Sequence, residues 1–423
     1  MSSALAACSG GGGSDGIAAT AGPPSTTVAD LGAVAARPTS SAQSHSATGQ
    51  QPVAALRIYR SPYADVAWPL VLRLKAQHHD HVGFSEAKIR AYDVAGYNVV
   101  VLLDYSGNRL MPQALRRRLW PVQSVLSDAF VSTLGNVRLF VPGAEEVGEE
   151  NLHVTSPFLT KYIQRWDPAQ GPRQPDEYET ITELRELISE DGGVPILAHP
   201  WHEQIDPVWA AQFKGMEMYN AFAAVYYRSP VTEFMKTDRN AVMLAAWDKA
   251  LALNSSLVGI AVNDHFGPLP DFPIDDDLRD SGKIIVLAED YSLEAYRRAF
   301  EHGAILAIKD IGTTKDRYPS VARIVSTSSE VSIDTDGTVR WIAMGNVVGA
   351  GPKFQASGLA PGTTYLRAEI RNSDGSTVFT QAFAIRQAGD ADGDGDLDDT
   401  DQQICAMVQR GAERDSERIA ACT

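Results

Sequence analysis

Cysteine, positive charge and long apolar runs are all scarce in this chain. Its 423 residues include three cysteines, and because none lies in the central body, a disulfide can join only residues near the ends. Acidic residues outnumber basic ones by 53 to 37, and the only basic run is Arg116–Arg118, so a nucleic-acid-binding surface is not expected. No stretch approaches the ~18 consecutive apolar residues of a membrane-spanning helix.

The first residues resemble an export signal. Leu5–Cys8, followed by small residues, is similar to the cleavage box of a bacterial lipoprotein signal peptide, in which the cysteine is lipidated. Only seven residues precede Cys8, fewer than a charged region and an apolar region of about 7–15 residues require, so we expect the true start upstream. The resemblance implies a protein that is exported and lipid-anchored to the bacterial cell envelope, or secreted. The alternative is a disordered tail with a chance cysteine.

Two cysteines lie close together near the C-terminus. A disulfide between Cys405 and Cys422 would agree with export, because disulfides form in oxidising compartments. The sequence alone does not establish this bridge.

An acidic loop just before these cysteines predicts calcium binding. It spans twelve residues, and a glycine at its sixth position, Gly395, permits the sharp turn that gathers oxygen ligands around a hard cation. The predicted calcium ligands are Asp390, Asp392, Asp394, Asp396, Asp398 and Asp401.

This loop resembles one half of a dockerin repeat, with the helix that follows predicted at Gln402–Arg410. A dockerin pairs two such repeats to bind a cohesin partner, and no second loop precedes Thr423. A cohesin-like partner and a calcium-stabilised stalk or truncated repeat are therefore alternatives.

The middle of the chain alternates short apolar runs with helical stretches, which is typical of β-strand and α-helix units around a parallel sheet. The predicted helices are Ser85–Ala95, Thr180–Glu190 and Ser292–His302, the last ended by Gly303. The predicted strands are Val71–Ala76, Asn98–Leu103, Val137–Val141, Val194–Ala198, Gly215–Tyr219 and Leu257–Val262. We interpret this region as a barrel-like α/β fold.

The pattern changes after the α/β region. From Ser320 to Ile385, β-rich segments alternate with turn pairs such as Asp336-Gly337, which predicts a small antiparallel β-sandwich. The predicted organisation is a lipobox-like start and flexible linker at 1–53, a barrel at 54–315, an accessory β-sandwich at 316–387 and a calcium loop with a short helix at 388–423.

Histidines concentrate at the predicted strand ends. Of nine in the chain, seven lie at or just after the C-terminal end of a predicted strand, where the active site of a β/α barrel is found. Imidazoles and carboxylates together suit Zn, Mn or Fe. These histidines are His78, His79, His81, His153, His199, His202 and His265.

Six segments resemble, in the same order, the motifs of the PHP (polymerase and histidinol phosphatase) domain. They include a His-x-His motif, a P-G-x-E strand and a G-G-x-x-x-x-A-H-P segment. The segments lie at 75–81, 95–105, 141–145, 192–200, 215–220 and 261–265.

The resemblance implies a distorted (β/α)7 TIM-like barrel holding two or three divalent transition metals, Zn, Mn or Fe. Asp104 would orient an imidazole or protonate a leaving oxygen, and His265 would assist Asp264. His202 either contacts the substrate or is an ordinary loop histidine. The implied metal ligands are His79, His81, Glu86, Glu145, His153, His199 and Asp264.

Two positions depart from the family pattern. Tyr105 stands where the family has a His ligand, and a phenol binds a metal only when deprotonated, which a pKa of about 10 disfavours. In the last segment, the Asp position is either Asp264 or, if His265 is the histidine ligand, Asn263. We favour Asp264.

The implied activity is hydrolysis of a phosphate mono- or diester of a small molecule by metal-activated water. A second interpretation is a catalytically weakened metal-binding scaffold or ligand-binding surface protein. A third is an amidohydrolase, because that superfamily also opens with His-x-His; the P-G-x-E segment at 142–145 argues against it.

Overall fold

The structure is a computed structural model with a mixed α/β fold. It describes residues 55–80, 86–103, 126–147, 152–160, 177–201, 205–221, 239–264, 280–311, 316–391, 399–411, 413, 418–419 and 422. All of them belong to one unit, Val53–Thr423. Within these residues, no helix is long and apolar enough to span a membrane.

The apolar runs of the central region form strands where the sequence predicts them. Four strands are additional to the six predicted ones: Leu56–Arg60, His153–Pro157, Asp280–Ala288 and Ile305–Ile311. The strands are β1 (Leu56–Arg60), β2 (Leu72–Gln77), β3 (Val99–Leu102), β4 (Leu139–Val147), β5 (His153–Pro157), β6 (Ile196–Ala198), β7 (Gly215–Asn220), β8 (Val258–Val262), β9 (Asp280–Ala288) and β10 (Ile305–Ile311).

Helices connect several of these strands, and the three predicted helices are confirmed with small changes at their ends. The last of them starts after the N-cap Ser292, whose Oγ accepts from the backbone N–H of Ala295, and ends before Gly303, at φ +72°. The helices are α1 (Glu86–Val94), α2 (Asp128–Val131), α3 (Glu177–Glu190), α4 (Pro207–Ala210), α5 (Arg239–Leu251), α6 (Leu293–Glu301) and α7 (Asp399–Gln409).

The strands form one large sheet with many parallel neighbours. Its hydrogen-bonded order includes β9-β2-β3-β4-β5-β6-β7-β8. The pairs β2/β3, β3/β4, β6/β7 and β7/β8 are parallel, whereas β5 runs antiparallel to both neighbours and β9 antiparallel to β2. The C-terminal ends of the parallel strands therefore lie at one end of the sheet, which is where the candidate site forms.

The sheet curls so that β8 returns to β9. The backbone N–H of Gly282, in β9, donates to Oδ1 of Asn263, directly after β8, at 2.9 Å. At Gly282, a Cβ atom would lie 2.5 Å from the backbone nitrogen of Val262, in β8. Only glycine permits so close an approach of two backbones.

The C-terminal part of the chain consists mainly of antiparallel strands. Strand β17 (Thr377–Thr380) pairs with β10, so the ladder of the large sheet continues from the central region into this part. The predicted domain boundaries and the β-sandwich stay predictions. The strands are β11 (Val321–Ser326), β12 (Glu330–Thr335), β13 (Thr338–Ala343), β14 (Asn346–Ala350), β15 (Lys353–Gln355), β16 (Tyr365–Arg371), β17 (Thr377–Thr380) and β18 (Phe383–Gln387).

A buried ion pair joins the two parts of the unit. The Arg367 guanidinium, in β16, donates from Nε and Nη2 to the two carboxylate oxygens of Asp248, in α5, each at 2.7 Å. Glu369 accepts from Arg367 Nη1 at 3.1 Å. This two-point contact fixes the orientation of α5 against β16.

The C-terminal helix begins three residues before its predicted start, and its cysteine is bridged. A disulfide joins Cys405, in α7, to Cys422. Of the predicted calcium ligands, Asp390 and Asp401 are buried, and Asp401 Oδ1 accepts from the N–H of Ala391 at 2.6 Å. The others, Asp392, Asp394, Asp396 and Asp398, lie outside the described residues.

Gly282→Ala should destabilise the protein by more than about 3 kcal/mol, because the added methyl group meets backbone atoms that have no side-chain freedom to move away. Urea unfolding measures the change. In the matched control, Gly358→Ala, the new Cβ lies an ordinary 3.7 Å from the Phe354 ring, and stability should change by less than about 1 kcal/mol. Equal stability of the two variants would contradict the closure at Gly282.

Candidate functional site

A fully buried histidine lies between two carboxylates near the end of β2. The Nδ1 atom of His79 is 2.5 Å from Oε1 of Glu217, in β7. Its Nε2 atom is 3.3 Å from Oδ1 of Asp264, which follows β8. Three segments that are far apart in sequence therefore meet at one imidazole ring.

His199, at the end of β6, belongs to the same cluster. Its backbone N–H donates to Oε2 of Glu217 at 2.8 Å, and its ring centroid is 5.9 Å from that of His79. Its Nε2 is 3.1 Å from Nδ1 of His153, the first residue of β5. The φ angle of His199 is 29°, in a region that residues with a Cβ rarely adopt. Such backbone outliers concentrate at functional sites.

Asp264, like His199, has an unusual backbone conformation, with φ at 54°. Its N–H donates to the carbonyl oxygen of His79 at 2.8 Å, which ties the end of β8 to the end of β2. Its Oδ2 accepts from Nδ2 of Asn220 at 3.0 Å. The side chain of the preceding Asn263 contacts Gly282 instead. Asp264 is thus the residue of this pair whose carboxylate reaches the cluster.

Glu217 is the residue that sequence reasoning missed. It is 0% exposed and accepts from His79, from the backbone of His199 and from Nδ2 of Asn220, the last at 3.2 Å. The signal in the sequence is a lone acid in a strand, Gly215–Asn220, whose other residues are largely apolar. A buried carboxylate needs hydrogen-bond donors, so such an acid indicates a polar cluster.

A second buried polar group lies beside the first. Asp80 follows His79 directly, and its Oδ1 accepts from Nζ of Lys88, in α1, at 2.8 Å. Its Oδ2 accepts from the hydroxyl of Tyr92. Asp80, Lys88 and Tyr92 are at most 2% exposed, so α1 holds the segment after β2 through a buried ion pair.

His78 faces away from this cluster. Its ring stacks on Phe300 with centroids 4.5 Å apart, and its Nε2 is 2.7 Å from the hydroxyl oxygen of Tyr296. Burial lowers the pKa of His78 to about 3, so its imidazole is neutral near pH 7. Both partners come from α6, which makes His78 a packing residue of that helix.

Of the remaining predicted residues, Glu86 is described in full, and the side chains of the others are not. Glu86 is exposed at the start of α1, and none of the contacts among described residues joins it to the cluster. The backbone of Glu145 lies in β4 opposite Thr155, and its side chain is outside the described set. Also outside that set are His81, Asp104, Tyr105, His202 and His265.

The donor chemistry at His79 fits a divalent transition metal. A neutral imidazole has one N–H, so when Nδ1 donates to Glu217, the Nε2 lone pair is directed at the Asp264 carboxylate, 3.3 Å away. Two ligands at about 2.0–2.2 Å from one Zn²⁺ ion, at a tetrahedral angle, lie about 3.3–3.5 Å apart. Among the described residues, however, no group of three or more His, Cys, Asp or Glu has metal-binding geometry.

Comparisons with known proteins add little. A solved structure from Bacteroides vulgatus, described as a two-domain protein containing a predicted PHP-like metal-dependent phosphoesterase, is similar at 13% identity. The match covers 80% of this chain and 95% of that chain, with a TM-score of 0.37, a likeness too low to carry an argument. No family model matches the chain, and no curated protein does.

Lys88→Met should destabilise the protein by about 3–5 kcal/mol, because it leaves the Asp80 carboxylate buried without its cation. Thermal and urea unfolding measure the effect. The exposed Lys214 supplies the control: Lys214→Met should change stability by less than about 0.5 kcal/mol. A Lys88→Met protein as stable as the control would show that the ion pair does not hold this segment.

Proposed function

We propose that this chain is a metal-dependent phosphoesterase of the PHP type that hydrolyses a phosphate mono- or diester of a small molecule. The observation that carries the proposal is the meeting of His79, His199 and Asp264, which follow β2, β6 and β8, with Glu217, which lies within β7. Each of these residues lies in a segment that resembles a PHP motif, and the segments are spread over 186 positions in the chain, from 79 to 264.

The proposed metal ligands that lie in the cluster are His79, His153, His199 and Asp264. The proposed set is completed by Glu86, which is exposed at the start of α1, and by His81 and Glu145, whose side chains lie outside the described residues. A bound divalent ion would supply a water of lowered pKa and positive charge for the phosphoryl oxygens. The histidines act as neutral ligands, and burial of the cluster limits competition by bulk water.

Three further side chains are proposed to assist the reaction. Asp104 orients an imidazole or donates a proton to the leaving oxygen. His202 contacts the substrate at the edge of the site. His265 acts beside Asp264.

A second candidate function is a metal-binding scaffold without strong catalysis. Tyr105, in place of the histidine ligand of the PHP pattern, and Asn263, at a possible Asp position, favour it. The metal content per chain separates the two proposals: two or more transition-metal ions favour the esterase, and one or fewer favours the scaffold. Turnover of amides but not of phosphate esters would instead favour an amidohydrolase.

The purified protein with Mn²⁺, Zn²⁺ or Fe²⁺ should release p-nitrophenol from p-nitrophenyl phosphate or its diester analogue. His199→Ala should reduce kcat/KM by more than about 100-fold, since it removes a proposed ligand rather than an outer hydrogen-bond partner. His302→Ala, an exposed histidine after α6, is the matched control and should retain activity. Metal binding without turnover of either ester would reject the esterase.

We also propose that the acidic loop binds one calcium ion. Two of its proposed ligands, Asp390 and Asp401, are the first and twelfth residues of the loop, and both are only 3% exposed. The hydrogen bond from the backbone N–H of Ala391 to Oδ1 of Asp401 brings the two ends of the loop together. The other proposed ligands are Asp392, Asp394, Asp396 and Asp398.

The C-terminal residues also support proposals about export and about a binding partner. The disulfide between Cys405 and Cys422 supports an oxidising compartment, in agreement with lipidation at Cys8 or secretion. A cohesin-like protein is the proposed partner of the calcium loop.

Calorimetric titration of the metal-free chain with Ca²⁺ should give one site with a Kd of about 10⁻⁴–10⁻³ M, the range of extracellular modules. Asp401→Asn should abolish this binding, because it removes a carboxylate from the twelfth position. The exposed Asp334 provides a control, and Asp334→Asn should bind as the wild type does. Absence of calcium binding in the wild type would leave the loop a structural turn.

A further inference from the structure

A single buried carboxylate connects the backbone and side chains of the candidate site. Glu217 accepts from a ring nitrogen at the end of β2 and from a backbone N–H at the end of β6. Through Asn220 it is linked to Asp264, at the end of β8: Asn220 Nδ2 donates to Glu217 Oε2 at 3.2 Å and to Asp264 Oδ2 at 3.0 Å.

An irregularity in β7 explains why Glu217 and Asn220 reach the same cluster. Residues three apart in a regular strand point to opposite faces of the sheet. The register of β7 against β8 shifts between Glu217 and Tyr219, as in a β-bulge, where an extra residue reverses the alternation that follows. Both side chains, each 0% exposed, therefore lie on one side.

The geometry points to Glu217 as a positioning residue that holds His79 in the Nδ1–H tautomer and so directs its Nε2 toward Asp264. This inference deepens the proposed function and rests on it for the role of the metal. The chemical basis is simple: a carboxylate 2.5 Å from Nδ1 stabilises the proton on that atom, which leaves the lone pair on Nε2.

The same carboxylate stabilises an unfavourable backbone conformation. His199 has φ at 29°, and its N–H is fixed by Glu217 Oε2 at 2.8 Å. Conformations of this kind cost about 1–3 kcal/mol and persist only where the surroundings hold them. Glu217 therefore orients two histidines, one through its ring and one through its backbone.

Glu217→Gln tests the inference with little change in side-chain size. A glutamine has one acceptor oxygen where the glutamate has two, so it cannot accept from both the His79 ring and the His199 backbone as before. We expect the His79 proton to shift toward Nε2 and the affinity for Zn²⁺ to fall about 10–100-fold.

The tautomer is measured on the metal-free full chain, labelled with ¹⁵N-histidine, by long-range ¹H–¹⁵N correlation near pH 7. His79→Asn identifies the His79 signals among those of the nine histidines. Zinc affinity is measured separately by competition with a chelator. The tautomer readout needs neither metal nor activity, so it tests the positioning role even if the protein proves not to be an esterase.

Glu369→Gln is the matched control. Glu369 is 3% exposed and contacts Arg367 and Arg371, away from the cluster, so its substitution removes a buried carboxylate of the same size. It should lower stability while leaving the His79 tautomer and the zinc affinity unchanged.

Two results would overturn the inference: a His79 proton on Nε2 in the wild type, or a Glu217→Gln protein with the wild-type tautomer and zinc affinity. If Glu217→Gln does not fold, Asn220→Ser replaces it, because it removes the link between Glu217 and Asp264. That variant should lose at least about 3-fold in zinc affinity. Wild-type affinity in a folded Asn220→Ser protein would also count against the role of Glu217. If the wild type binds no zinc, the proposed function fails, and the His79 tautomer alone tests the positioning role of Glu217.

Discussion

The close approach of β8 to β9 is the constraint on which the candidate site depends. Gly282 allows the two backbones to touch, and with β9 paired to β2, the end of β8 comes next to the end of β2. The N–H of Asp264 then reaches the carbonyl of His79. Without this closure, His79 and Asp264, which are proposed to share a metal, would follow strands β2 and β8, six positions apart in the order of an open sheet.

Strands that follow the central region contribute to that closure. Strand β10 pairs with β9 on one side and with β17 on the other, so the C-terminal strands brace the element against which β8 closes. The two-point ion pair between Arg367 and Asp248 fixes the position of α5. The first turn of α5 contacts the cluster, because Asn240 Oδ1 accepts from the backbone N–H of Asn220 at 2.7 Å. The C-terminal strands are thus mechanically part of the fold that forms the site.

Local patterns in the sequence were enough to predict six of the ten strands and three of the six helices described in the central region, because each of these has its own apolar periodicity or cap. They also identified His79, His199 and Asp264, which follow strand ends in recognisable motifs. The five-residue strand β5 and its antiparallel direction could not be predicted, since strand direction depends on pairing between distant segments. The same holds for the pairing of β9 with β2.

Glu217 shows why the inner part of the site is harder to predict than its ligands. Period-two alternation places Glu217 and Asn220 on opposite faces of β7, and only the register shift near Tyr219 brings them together. A shift of this kind depends on how β7 meets β8, and the residues of β7 alone carry no signal for it.

The positive φ angles of His199 and Asp264 also depend on contacts between segments that are distant in sequence. Each comes directly after or within two residues of a parallel strand that ends at the cluster, and each has its backbone N–H bound to a partner in the cluster, Glu217 or the carbonyl of His79. A chain that simply continued its strand would direct these N–H groups elsewhere. Since such conformations cost free energy, the hydrogen bonds of the cluster must offset that cost. The backbone at the strand ends and the buried side chains are therefore interdependent. Hydrogen bonds within the cluster stabilise the unusual backbone conformations of His199 and Asp264. These conformations place the His199 imidazole and the Asp264 carboxylate beside the ring of His79.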